Sequence, residues 1–213
     1  MKDIPSTKSE ESLQVEFWFE FGSTYSYLSA MRIEALSVKS GREIRWVPFL
    51  LGPVFKQSGW DDSPFNIYSA KGSYMWRDME RRCAKYDIPF QRLPSEGPTR
   101  FPQNGLLATR VAQLALERPW GKEFCRNIFH AQFARGLDIS DVATVSNAIK
   151  DSGGDSELIE EAETDANKTR LRKTVDEALA LGIFGAPFFK IDSELFWGDD
   201  RLEDALEHVA LTY

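Results

Sequence analysis

The sequence predicts an α/β fold in which a βαβ unit and a ββα unit flank a long helical block. The first unit begins with LQVEFWFEF (13–21), whose alternation of apolar and polar residues is typical of a strand and places Glu20 on its polar face. After the turn at 22–24, apolar residues at helical spacing predict a helix that ends at Gly41. EIRWVPFL (43–50) then predicts a second strand, parallel to the first by the usual right-handed crossover.

The rest of the chain completes this pattern. Residues 51–181 show mainly helical periodicity, interrupted by turn-rich stretches at 59–65 and 94–105. The candidate helices are roughly 70–87, 104–117, 119–135, 140–152, 155–163 and 165–181. After them, PFFKI, a short DS turn and ELFW predict a β-hairpin, and a final helix follows from about Asp200 to Leu211.

This element order is that of a thioredoxin-like fold (βαβ…ββα) with a large all-helical insertion. It divides the chain into a flexible N-terminal tail (1–12), a thioredoxin-like domain (13–50 and 182–213) and an inserted helical domain (51–181). With 213 residues, of which 42% are hydrophobic, the chain is long enough to bury a sizeable core.

Composition and charge restrict the classes of function. The chain has 26 basic and 33 acidic side chains, a net charge of -7, and no Lys/Arg cluster that could follow a phosphate backbone, so we expect no nucleic acid partner. The first dozen residues lack the apolar run of a secretion signal, and no long apolar run predicts a membrane span. Cys83 and Cys125 lie far apart and form no metal-binding motif, which favours a soluble protein of the reducing cytoplasm.

The clearest chemical signal is FEFGSTYSYL, a turn from the first strand into the first helix. In a thioredoxin-like fold, the free N–H groups and the positive dipole end at this corner stabilise a sulfur anion. Ser23 and Ser26 have the spacing of a CxxC motif, but hydroxyl groups form no disulfide, which excludes thiol–disulfide exchange here. The Ser23 hydroxyl can donate to a bound thiolate or simply cap the helix, and both roles can coexist.

Two further stretches face this corner in a thioredoxin-like fold. In GIFGAPFF, Ala186-Pro187 is a candidate cis-proline bond whose preceding residue offers its backbone to a peptide-like ligand such as glutathione. The alternative is a trans proline at the start of an edge strand. In ELFWGDDRLEDAL, Asp199 and Asp200 either stabilise the start of the last helix or bind an amino group of the ligand. Lys71 is a candidate partner for a ligand carboxylate.

Taken together, these stretches resemble the 2-hydroxychromene-2-carboxylate isomerase family. The resemblance rests on FEFGSTYSYLS, PFLLGPVFKQSGW, SPFNIYSAKGSYMWRD, FPQNGLLATRVA and GIFGAPFF through ELFWGDDRLEDAL, and covers nearly everything after residue 12. This family is similar to kappa-class glutathione transferases and, more distantly, to the DsbA-type disulfide-forming oxidoreductases of the bacterial periplasm. The resemblance implies glutathione as cofactor, a small electrophilic aromatic substrate and a homodimer.

The reaction implied by the resemblance is a glutathione-dependent isomerisation. The thiolate adds reversibly to a chromene acid or conjugated aromatic pyruvate and leaves again, with no net redox change. Ser23 corresponds to the catalytic serine that stabilises the thiolate. The positions that correspond to glutathione contacts or pocket residues are Trp60, Asn66, Lys71, Ala186, Pro187, Trp197, Asp199 and Asp200. Trp60 and Asn66 can equally fix the loop that carries them.

The chain departs from the family pattern at two positions beside Ser23. Thr24 stands where the family usually has proline, and Gly22 stands where bulkier apolar residues are common. Two other functions remain open: a kappa-class-like glutathione transferase or peroxidase, and a non-catalytic glutathione- or peptide-binding module. The apolar stretch PFLLGPVFKQSGW favours an enzyme, because it offers a wall for an aromatic electrophile that a binding module does not need.

Overall fold

The structure, a computed structural model, describes residues 14–208, so the predicted tail at 1–12 and the predicted end of the last helix lie outside it. Within that range the element order confirms the predicted thioredoxin-like fold. The strands are β1 (Gln14–Phe19), β2 (Glu43–Pro48), β3 (Phe188–Ile191) and β4 (Glu194–Trp197). The helices are α1 (Thr24–Ser40), α2 (Leu51–Gln57), α3 (Pro64–Ile67), α4 (Ser69–Tyr86), α5 (Leu106–Ala115), α6 (Gly121–Phe133), α7 (Val142–Asp151), α8 (Leu158–Ala162), α9 (Asp165–Ala180) and α10 (Leu202–Glu207), with a 3-10 turn at Asp199–Arg201.

The four strands form one sheet in the order β2-β1-β3-β4. β2 runs parallel to β1, as predicted, while β3 and β4 are antiparallel to their neighbours. The central strand β1 brings Phe17 opposite both Trp46 and Phe189, with ring centroids 5.0 and 5.5 Å apart. This register places the end of β1, and the turn that follows it, beside the loop that enters β3.

Helices cover both faces of the sheet. Phe17 and Phe189 belong to the core that packs against α1, α6 and α10, and Trp18 and Phe188 belong to a second core that packs against α2 and α9. The alternation in the sequence groups Glu20 with the polar residues of β1, yet Glu20 is only 9% exposed. The reason is that β1 ends at Phe19 and the following residues turn into the interior.

The helical block agrees with the predicted helices, except that two short helices appear where none was delimited. α2 has seven residues, and α3 has four and lies partly in the stretch 59–65 that was predicted as a turn. Such short helices show no full period of apolar residues, although Ser63 caps α3 and Pro64 occupies its first turn. The division of the chain at residues 51 and 181 into two domains stays a prediction.

Gly72 in α4 lies against α3, where a β carbon would lie 2.1 Å from the carbonyl oxygen of Phe65. We expect Gly72→Ala to lower the free energy of unfolding by about 1–3 kcal/mol, because the added methyl group forces the two helices apart. Urea unfolding measures this change. The matched control is Gly52→Ala in α2, where a β carbon would meet nothing within 4 Å. That change should raise stability by about 0.5–1 kcal/mol, so a Gly72→Ala protein as stable as Gly52→Ala would contradict the prediction.

Candidate functional site

The turn between β1 and α1 forms a hydrogen-bonded corner around Ser23. Ser23 is the N-cap of α1, since its Oγ accepts a hydrogen bond from the backbone N–H of Ser26 at 3.1 Å. The same hydroxyl donates to the carbonyl oxygen of Ala186 at 2.9 Å. Thr24 and Tyr25 open α1, so their backbone N–H groups have no partner inside the helix and lie at the positive end of its dipole. The corner thus has the donors that an anion requires.

The loop that enters β3 lies directly against this corner. Its Ala186-Pro187 bond is cis, which excludes the alternative of a trans proline, and Pro187 is buried behind Ala186. A second cis bond, Phe101-Pro102, lies in the segment before α5. Because the Ala186 carbonyl accepts from Ser23, the start of α1 and the proline loop lie within hydrogen-bonding distance of each other.

A cleft of about 1070 Å³ opens above the corner. Among the predicted site residues, those that line it are Ser23, Trp60, Lys71, Ala186, Trp197, Asp199 and Asp200. They come from segments far apart in the sequence, so the fold brings these seven of the nine predicted residues together, while Asn66 and Pro187 lie outside the cleft wall. This volume lies slightly above the range of roughly 300–1,000 Å³ typical of sites that enclose small organic ligands.

Asn66 is a predicted site residue outside the cleft wall. Its Nδ2 donates to both carboxylate oxygens of Asp62 at 3.2 Å and to the carbonyl oxygen of Phe101 at 3.0 Å. These bonds tie the loop before α3 to the segment with the second cis proline. Trp60 lines the cleft and has its ring 5.9 Å from that of Phe55.

Asp199 and Asp200 differ sharply in environment. The Asp199 side chain is 0% exposed, and it accepts hydrogen bonds from Ser29 at 3.0 Å, from Arg32 at 2.9 Å and from two nitrogens of Arg82. Burial raises the pKa of Asp199, and the two guanidinium groups oppose that rise. The Asp200 side chain is 59% exposed, with its only ion pair among residues 14–208 to Arg201 at 3.2 Å. Asp200 is therefore the carboxylate that a ligand can reach.

Aromatic side chains form much of the cleft wall. At the rim, the rings of Trp197 and Phe184 lie 4.8 Å apart, and both residues are about half exposed. Deeper in, the Tyr25 hydroxyl donates to Asp78 at 3.1 Å, and burial, together with that carboxylate, raises the pKa of Tyr25 above its ordinary value. Lys71 places its Nζ 4.8 Å from the ring centroid of Tyr68. The cleft thus combines aromatic surface with a few charged groups.

Sequence reasoning missed Glu20, which lines the same cleft. Burial raises the pKa of its carboxyl group to about 7, and a hydrogen bond from the backbone N–H of Gly22 opposes that rise. In the sequence, only its position three residues before Ser23 could have indicated that Glu20 belongs to the site. The alternation of β1 made Glu20 look like an ordinary polar residue of a strand.

A model described as a DSBA-like thioredoxin domain matches residues 14–210. The chain belongs to the DSBA-like thioredoxin family. Its fold and the position of its corner agree with that membership.

Relatives of this DSBA-like chain agree with the resemblance found in the sequence. The 2-hydroxychromene-2-carboxylate isomerase of Sphingobium xenophagum is 28% identical, over 89% of this chain and 94% of the relative. Glutathione s-transferase kappa 2 of Caenorhabditis elegans is 26% identical, over 92% of this chain and 91% of the relative. A solved structure of a 2-hydroxychromene-2-carboxylate isomerase superimposes with a TM-score of 0.75 at 24% identity, and the match covers 89% of this chain and 90% of that one.

The described part of this DSBA-like chain has no thiol at the corner. Cys83 and Cys125 are both buried, and burial raises the pKa of Cys83 to about 12 and that of Cys125 further. Neither thiol ionises near neutral pH, so any sulfur nucleophile in the cleft must come from a ligand. Within residues 14–208 no cluster of ligand side chains could hold a metal ion, and no helix is long and apolar enough to cross a membrane.

Proposed function

We propose that this protein is a glutathione-dependent isomerase that acts on 2-hydroxychromene-2-carboxylate-like aromatic acids. The observation that carries the proposal is the corner itself: Ser23, the free N–H groups of Thr24 and Tyr25, and Ala186 surround one point in the wall of the cleft. This arrangement suits a thiolate, and the described part of the chain supplies no thiol there. The names of the two relatives support glutathione chemistry and isomerisation.

The residues of the cleft fit glutathione, which has a peptide backbone, two carboxylates and one α-ammonium group. In this proposal the Ala186 backbone, held by Pro187, pairs with the peptide, Asp200 binds the ammonium group, and Lys71 binds a carboxylate. Asp199 supports this site from within by fixing the 3-10 turn. Trp60 and Trp197 enclose the ligand, and Asn66 fixes the loop beside it.

An observation independent of the relatives also supports a ligand at this corner. The hydroxyl of Thr24 is buried in the wall of the cleft and has no hydrogen-bond partner among the described residues. Buried hydroxyl groups normally have a partner. Thr24 also keeps a backbone N–H, which the proline of the family pattern lacks. This single departure therefore adds two donors next to the proposed sulfur position.

The reaction requires a stabilised anion and an enclosed site. Glutathione, when bound, supplies a thiolate that adds reversibly to the conjugated acid. When glutathione binds, the single hydroxyl proton of Ser23 turns from the carbonyl oxygen of Ala186, which accepts it in this structure, to that sulfur. The N–H groups of Thr24 and Tyr25 contribute the field of the helix start, which keeps the thiol ionised near neutral pH. The aromatic walls position a planar substrate beside it and exclude water.

A kappa-class-like transferase is the second candidate, because of the relative with that name. The two functions differ in the fate of glutathione. An isomerase converts 2-hydroxychromene-2-carboxylate with glutathione fully recovered, whereas a transferase consumes one glutathione for each molecule of a generic electrophile such as chlorodinitrobenzene. We expect isomerisation with full recovery. Stoichiometric consumption without isomerisation would establish the transferase, and binding without either reaction would establish a binding module.

Glutathione binding itself is tested by calorimetry. We expect Asp200→Asn to raise the dissociation constant roughly tenfold, because it removes one charge-assisted hydrogen bond. The matched control is Asp204→Asn: this carboxylate also pairs with Arg201 and is 52% exposed, but it does not line the cleft. Equal effects of the two changes would contradict the role of Asp200. No binding by the unchanged protein at millimolar glutathione would overturn the proposed function.

Location and assembly belong to the same proposal. Glutathione is abundant in reducing compartments, so the proposed chemistry fits the cytoplasm. The resemblance to the isomerase family supports a homodimer, which light scattering in solution tests directly.

A further inference from the structure

Glu20 places a buried carboxyl group in the cleft that contains Ser23, against Gly22, the residue before Ser23. Its backbone carbonyl accepts a hydrogen bond from the backbone N–H of Ser23 at 3.1 Å, so the two residues share one tight turn. Glu20 is 9% exposed and lines the cleft. A carboxyl group in such a position costs stability unless it is neutral or paired.

Two glycines leave the space that the carboxyl group occupies. A β carbon on Gly22 would lie 2.9 Å from Oε2 of Glu20, and one on Gly105, which precedes α5, would lie 3.4 Å from Oε1. Gly22 is also the position where the family pattern favours bulkier residues. In this chain the missing side chain leaves room for the Glu20 carboxyl group between the starts of α1 and α5.

The charged side chains of the cleft do not cause the raised pKa of Glu20. The titratable side chains that share the wall with it are Tyr25 on α1, Asp61 and Asp62 before α3, Lys71, Tyr74, Asp78 and Arg82 on α4, and Asp199 and Asp200 in the 3-10 turn. The causes that shift its pKa to about 7 are burial and the opposing Gly22 N–H, with no charged side chain among them. A carboxyl group of this kind can take up and return a proton near neutral pH.

We propose that Glu20 accepts the thiol proton of glutathione bound at Ser23 and returns it when the thiol is re-formed, an inference that rests on the proposed function. The S–H bond breaks, its electron pair stays on sulfur, and the proton forms an O–H bond on the Glu20 carboxylate. This proton transfer leaves the total charge of the protein and its bound glutathione unchanged. Because a carboxylate and a thiolate side by side repel each other, the pair keeps one proton and one negative charge between them.

A purely structural role explains Glu20 less well. Glutamine would fill the same space and accept the same hydrogen bond from Gly22, without the cost of burying an ionisable group. The carboxyl group therefore provides what an amide lacks, a proton that can move.

Proton release on glutathione binding tests the proposal directly. Calorimetry at pH 8 in two buffers of different ionisation enthalpy gives the number of protons released, and ultraviolet absorbance of the same samples gives the thiolate formed. For the unchanged protein we expect thiolate with almost no proton release, because Glu20 keeps the proton. Release of about one proton per bound glutathione would overturn the proposal, whereas absence of binding would overturn the proposed function instead.

Glu20→Gln provides the matching variant. We expect it either to release about one proton per bound glutathione or to lose the thiolate absorbance, since in either case the internal acceptor is gone. The control is Glu16→Gln on β1, whose carboxylate pairs with Arg45 at 3.3 Å and lies outside the cleft wall. Values for Glu20→Gln equal to those of the unchanged protein would contradict the proposal.

A measurement without glutathione tests whether Glu20 titrates near neutral pH, as a proton acceptor must. The pKa of Glu20 in the folded protein, about 7, lies above the value of 4.5 expected for an exposed side chain. The fold therefore favours the neutral acid, and stability falls as the pH rises from 4.5 to 7. Over this range the unfolding constant of the unchanged protein should rise on the order of a hundredfold relative to that of Glu20→Gln. If the unfolding constants of the two proteins changed with pH in parallel, Glu20 would be an ordinary exposed acid and the proposal would be overturned.

Discussion

Replacement of Asp199 by asparagine is expected to lower the free energy of unfolding by about 3 kcal/mol or more. The Asp199 side chain is fully buried and pairs with Arg32 and Arg82, whose side chains are 9% and 22% exposed. The amide cannot neutralise either guanidinium group, so Arg82 loses its carboxylate partner and Arg32 keeps only Glu203. This network connects α1 and α4 with the 3-10 turn, and we therefore expect the turn to loosen as well.

Urea unfolding at neutral pH measures this loss, and the next residue provides the control. Asp200→Asn changes the same group one position along the chain, but at a side chain that is 59% exposed. Exposed ion pairs contribute little to stability, so this variant should unfold with almost no change. Equal destabilisation by the two changes would show that burial of the Asp199 network does not determine its contribution.

The second large effect concerns Ser23. We expect Ser23→Ala to lower kcat/KM for isomerisation about a hundredfold, because it removes a donor aimed at a charge-bearing atom in the enclosed site. It should also cost about 1 kcal/mol of stability, since the N-cap of α1 is lost. The fall in activity is too large to result from the lost cap alone, because the folded fraction hardly changes.

Two variants separate the role of Ser23 in catalysis from its role as a cap. Ser23→Asp keeps an effective N-cap but loses the hydrogen bond to the Ala186 carbonyl oxygen and puts a negative charge where the thiolate lies. We therefore expect a folded protein that no longer binds glutathione. Ser26→Ala removes a buried hydroxyl that has no hydrogen-bond partner among the described residues, and it should leave turnover unchanged. An active Ser23→Asp protein would show that Ser23 acts only as the N-cap of α1.

Much of the fold could be predicted because its signals are local. The apolar density of β1, the helical spacing that follows it and the glycine at the end of α1 act within a few residues of one another. Gly41 indeed has the left-handed conformation, with φ 68°, that ends the helix. The corner and the proline loop could be assigned to one site because the element order brings them together.

The features that were missed depend on contacts between distant parts of the chain. Arg32 and Arg82 meet Asp199 across 167 and 117 positions, and periodicity gives no sign of such a pairing. Glu20 is buried where its carboxyl group lies against Gly22 and against Gly105, which precedes α5. In each case a side chain that looks polar and exposed in the sequence is enclosed by elements far from it along the chain.

The central claim is that the start of α1 holds glutathione as a thiolate beside Ser23, and the pKa of the bound thiol tests it most directly. Ultraviolet absorbance of the thiolate, followed against pH with glutathione and protein in complex, gives that value. We predict a pKa at least about one unit below the value near 8.5 of an unperturbed thiol, and a value closer to 8.5 in Ser23→Ala. A bound thiol that ionises like the free one, or equally in both proteins, would contradict the account.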